Sequence, residues 1–68
     1  MTDKISDVLM ASDSAIKYLA NKNKIIFRYE IVGVQRMKDI WLVQIVSEFY
    51  SGIVLIRATD GNTKDIVL

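Results

Sequence analysis

Residues 38–56 read KDIWLVQIVSEFYSGIVLI and hold the chain's only tryptophan. Two apolar runs meet at Ser51-Gly52, and each alternates at a period of two before apolar side chains fill positions in between. Period-two alternation places successive side chains on opposite faces of a strand. Trp41, Val43 and Ile45 share one face, and Leu42, Gln44, Val46 and Glu48 share the other. Both faces are therefore largely apolar, which a small sheet packed on one side does not require.

The remaining chain supplies the layer for one of these faces. Residues 3–21 are expected to form a helix, with Ile5, Val8, Leu9, Ser12, Ile16 and Leu19 on one stripe and Ala15 beside it. Thr2 is the expected N-cap. Asp3 and Asp7 lie near the positive end of that helix, and Lys17 and Lys22 near its negative end. Asn21 and Asn23 are the expected stop residues. Residues 24–36 predict a strand in which Ile25, Phe27, Tyr29 and Ile31 alternate with Ile26, Arg28 and Glu30. The apolar phase then slips to Val32 and Val34, so a bulge near Val32-Gly33 is expected to return both sets to one face. Turns follow at Met37-Lys38-Asp39 and Tyr50-Ser51-Gly52, between strands at 40–48 and 53–58. Asp60-Gly61 is a hairpin signal, and residues 63–68 can close the sheet as a short fourth strand. The expected fold class is α+β: one N-terminal helix on a three- to four-stranded antiparallel meander, two layers in a single domain over 1–68.

Composition narrows the chemistry. The 68 residues contain no cysteine and no histidine, which removes disulfides, thiolate metal sites and the usual nucleophile–base pairs. No catalytic residue, cofactor site or metal site is expected. Glu30 and Glu48 are the only glutamates and are read as solvated, with Asp60 as a turn former and Asp65 as a surface charge. Nine basic and eight acidic side chains leave a net charge of +1, so non-specific attraction to polyanions is weak. No apolar run reaches the eighteen or so residues of a membrane span. The N-terminus carries acids and no long apolar stretch, which predicts a soluble cytoplasmic protein rather than an exported one.

Trp41 is read as a core anchor. The helix is expected to cover the Trp41 face and to leave the other free, with either Ile53 and Leu55 or Val54 and Ile56 joining it. A small chain with so little core implies association through that free face, as a homo-oligomer or with a protein partner. Leu42 and Val46 are its predicted contact residues, with Arg28 and Arg57 at its rim. The alternative reading is a nucleic-acid-binding module in which Arg28, Arg36, Lys38 and Arg57 form a basic patch beside Tyr29 or Tyr50.

The pattern Gly33-Val34-x-Arg36-x-x-Asp39-x-Trp41-x-Val43, ending in Glu48, resembles the gas-vesicle accessory protein O family. That resemblance implies a small non-enzymatic protein that works through protein contacts in gas-vesicle formation. This chain lacks the proline-containing segment and the basic, tyrosine-rich C-terminus that follow in that family. A helix, a tryptophan-led strand and a strand closing on ATDGNT also resemble a PepSY module, which implies regulation of a protease.

Overall fold

The computed structural model describes residues 3–24 and 28–68. It contains one helix, α1 (Val8–Asn21), and four strands, β1 (Tyr29–Met37), β2 (Ile40–Ser47), β3 (Ser51–Arg57) and β4 (Thr63–Val67). The strands form one antiparallel sheet in the order β1-β2-β3-β4, and α1 packs across one face, an α+β architecture of two layers. The fourth strand is therefore present, and the Asp60-Gly61 signal marks the β3–β4 hairpin, with Gly61 at φ 76°. The part of the expected first strand at 25–27 and the expected cap Thr2 lie outside the described residues.

The helix is shorter than its apolar spacing predicts. Asp7 rather than Thr2 caps it: its carboxylate accepts the Met10 amide at 2.8 Å while its backbone is extended. A capping carboxylate satisfies an amide that has no intrahelical partner, so it sets the first turn regardless of the stripe before it. The buried face is Ala11, Ala15 and Leu19, flanked by Ile16 and Tyr18. Val8 and Leu9, expected on the stripe, stay exposed, Leu9 at 81%. The small alanines let the helix backbone approach the sheet closely, which the sequence pattern of larger residues concealed.

Residues 3–7 instead form an arm laid across the end of the sheet. Ile5 is buried, its amide donates to the Ala58 carbonyl at 3.0 Å, and its carbonyl accepts the Trp41 indole Nε1–H at 3.0 Å. Arg36 holds the same arm by an ion pair with Asp3 at 3.0 Å and lies over the Trp41 ring. Trp41 is thus a core residue, as its place at the head of an alternating strand predicts.

At its other end α1 closes in a Schellman motif. Asn23 takes a left-handed φ of 56°, its amide donates to Ala20 O, and the Lys24 amide donates to Leu19 O. Asparagine tolerates that conformation better than most residues, so the expected stop is where the sequence places it.

Trp41, Val43, Ile45, Val54 and Ile56 form the sheet side of the core, each no more than 6% exposed. The bulge expected near Val32-Gly33 is present. Ile31 pairs with Ile45 and Gly33 with Gln44, so Val32 is the extra residue; Ile31 and Val34 share the helix side, while Val32, expected there too, is exposed because the bulge leaves it unpaired. The second turn lies earlier than predicted. Ser51 and Gly52 belong to β3, opposite Val46 and Ile45, and the reversal occupies 48–50.

Gly52 is required by close approach rather than by backbone conformation. A Cβ there would meet the Tyr50 hydroxyl, and the Ile66 carbonyl oxygen of the neighbouring strand at 2.6 Å. Around Gly33 a Cβ meets nothing within 4 Å. Gly52→Ala is therefore expected to lower stability by about 1–3 kcal/mol, the usual cost of overpacking. Gly33→Ala is expected to be neutral or slightly stabilising, by at most about 1 kcal/mol. Urea denaturation of the two variants beside wild type checks the contrast.

Candidate interaction surface

The register divides the strand residues cleanly between two faces. On β2 and β3 the helix-side positions are buried, and the positions between them, Leu42, Gln44, Ile53 and Leu55, are half-buried. Leu42 pairs with Leu55, and Gln44 with Ile53. The alternative left open by the sequence is thus resolved: Ile53 and Leu55 face outward, and Val54 and Ile56 face the helix. Val46 and Ile66 extend the outer face and are 37% and 50% exposed. Among the described residues no element packs over this face. Across Gly33, which has no side chain, Gln35, Leu42, Gln44 and Ile53 line a shallow groove.

The predicted contact residues Leu42 and Val46 do lie together, separated along β2 only by Gln44 and the inward Val43 and Ile45. The two predicted rim residues fall at opposite ends. Arg57 pairs with Ile40, while Arg28 precedes Tyr29, which pairs with Ser47 at the other end of β2. Arg57 is bound to Asp60 at 3.1 Å. The basic set of the nucleic-acid reading is not gathered into one patch. Arg36 pairs with Trp41 on the helix side and is held by Asp3, and Lys38 occupies the β1–β2 turn at φ 57°.

A polar cluster on the helix side was not legible in the sequence. α1 packs chiefly on β1, β2 and β3, and the inward Asp65 of β4 is covered by two tyrosines, Tyr18 of α1 and Tyr50. Tyr18 and Tyr50 donate to Asp65 at 3.3 and 3.1 Å, and Lys24 Nζ reaches it at 2.7 Å. The Asp65 side chain is 8% exposed, so it is not the surface charge its sequence context suggests. A carboxylate so far withdrawn from solvent persists only when it is paired and hydrogen-bonded, and these three donors supply that. The Schellman motif is what brings Lys24 there, since it fixes the Lys24 backbone on Leu19. Only the tertiary fold joins residues 18, 24, 50 and 65, so no local motif announces them.

The hydrogen bond from Lys24 holds the Asp65 carboxyl below the usual carboxylate range, aided by the tyrosine hydroxyls and opposed by burial. Burial first, then the bond to Asp65 and its charge, push the Tyr50 phenol up to about 12. All four groups are consumed by one another, so the cluster braces the structure and offers no free acid or base. Among the described residues there is no group of three potential metal ligands, and no helix is long and apolar enough to cross a membrane.

The signs of the two shifts predict pH dependence at both ends. A lowered Asp65 pKa contributes stability above the ordinary carboxylate value near 4, and this is lost as pH falls through the folded value. A raised Tyr50 pKa contributes stability that is complete below about 10 and lost as pH rises towards 12. Asp65→Asn is expected to cost about 1–3 kcal/mol at neutral pH, a deficit that shrinks below about pH 4. Tyr50→Phe is expected to remove part of the alkaline loss between about pH 10 and 12. Denaturant titrations across that pH range test both.

Comparison of the chain with known protein families, curated proteins and solved structures found no match.

Proposed function

We propose that this protein is a small non-catalytic interaction or assembly protein that docks through the outer face of its sheet. The observation that carries the reading is the continuity of apolar side chains from Leu42 and Val46 on β2 through Ile53 and Leu55 on β3 to Ile66 on β4, with no layer of the described chain over them. A contiguous apolar face of this kind on a small domain marks a contact site. The absence of histidine and cysteine, and the mutual saturation of the Asp65 cluster, support a non-catalytic role. The resemblance of residues 33–48 to the gas-vesicle accessory protein O family agrees with an accessory protein acting by contact.

Leu42 is the test position, because it sits mid-face and makes no contribution to the buried helix-side core. Leu42→Glu is expected to keep its circular dichroism spectrum and to lose association. Association is read as solution mass by light scattering and as recovery of proteins that co-purify from the native host. A variant with the same mass and the same co-purifying proteins as wild type would refute docking through this face.

A further inference from the structure

Two exposed charges of opposite sign stand on the two edge strands of the outer face. Glu30 lies on edge strand β1 opposite Val46, and Lys64 lies on the other edge strand β4 opposite Leu55, which pairs with Leu42. The two charges therefore stand at diagonally opposite corners. Both are exposed, and neither forms an ion pair among the described residues. Midway between Val46 and Leu42 on β2 is Gln44, which pairs with Ile53, so the midpoint of the diagonal falls on the Gln44–Ile53 pair.

We infer that the occupant of the outer face is a second copy of this chain, stacked sheet to sheet about a two-fold axis through the Gln44–Ile53 pair, with Glu30 of each copy against Lys64 of the other. This rests on the reading of the outer face as a docking surface and names its partner. A two-fold axis lying between two stacked faces and perpendicular to the Glu30–Lys64 diagonal exchanges its two ends, so both unlike pairs form at once. The same axis, passing between Gln44 and Ile53, brings each of them close to its own copy. A glutamine amide carries both donor and acceptor, so two of them satisfy each other across an axis.

The dimensions agree with a known packing class. Strands about 4.8 Å apart and a rise of about 3.3 Å per residue put the diagonal near 45° to the strands. The strands of the two copies then cross near 90°, the orthogonal arrangement of packed sheets. A face roughly 20 Å on a side buries on the order of 1,000 Å² in total, the lower end of a specific interface. The dimer is accordingly expected to be reversible and concentration-dependent.

The test uses the full chain and charge exchange, measured by sedimentation equilibrium at low salt from about 1 µM to about 500 µM. Wild type is expected to dimerise within that range. Glu30→Lys and Lys64→Glu each place like charges together twice and are expected to weaken the dimer roughly tenfold. The double variant is expected to recover wild-type affinity. An equimolar mixture of the two single variants is expected to form a heterodimer tighter than either homodimer, because both of its pairs are then unlike. A wild-type chain that stays monomeric overturns the inference. So does a dimer indifferent to the single exchanges or not rescued by the double. Loss of a host partner on Leu42→Glu with a monomeric wild type would leave the docking face standing and remove only the second copy.

Discussion

A single helix of fourteen residues cannot cover a four-stranded sheet, and most of the structure follows from that shortage. At about 1.5 Å per residue and about 10 Å across, such a helix spans one face in length but not in width. It packs mainly on β1, β2 and β3 and reaches β4 through the Tyr18 hydroxyl. The rest of the inner face has to be closed by other means, and the outer face is left without any layer among the described residues.

Two local devices close the inner face. At the β2 head, the arm preceding the helix lies against Trp41, whose indole binds the Ile5 carbonyl while Ile5 fills the corner. At β4, a carboxylate takes the place of an apolar side chain and is roofed by Tyr18 and Tyr50, with Lys24 neutralising it. Tyr50 in turn occupies the space over Gly52, so the cluster and the absence of a side chain at that position are one arrangement. Replacing packing area by a hydrogen-bonded ion pair is a weak source of net stability, but removal of one partner is costly.

The outer face inherits the opposite problem. Its apolar residues are half-buried by neighbours across the strands, so they stabilise the sheet even in an isolated chain. They also leave a surface with more apolar area than solvent favours. Glu30 and Lys64 stand at two corners of that surface, Arg57 at the end of β3, and Gln44 beside its centre. A face built in this way limits stickiness at its margins while keeping it in the middle, which suits a reversible contact.

The sequence by itself determined the first three strands, though it placed the β2–β3 turn two residues late, and with them the bulge, the hairpin signal at Asp60-Gly61, the inward Trp41 and the double-sided apolar pattern of Leu42, Val46 and their neighbours; the pairing of β4 it left open. These are readable because each depends on a period of two or on turn chemistry within a few residues. Local spacing was misleading for the helix, where Ile5, Val8 and Leu9 mimic a continuous stripe that Asp7 interrupts by capping. Only the tertiary structure decided that Ile53 and Leu55 face outward, because their orientation follows from the β2–β3 register. It alone decided the burial of Asp65, since the three donors that make its charge tolerable come from α1, the residues after it, and the turn before β3. A buried charge is stable only where its partners converge, and convergence across 47 residues of chain is a property of the fold, not of any segment.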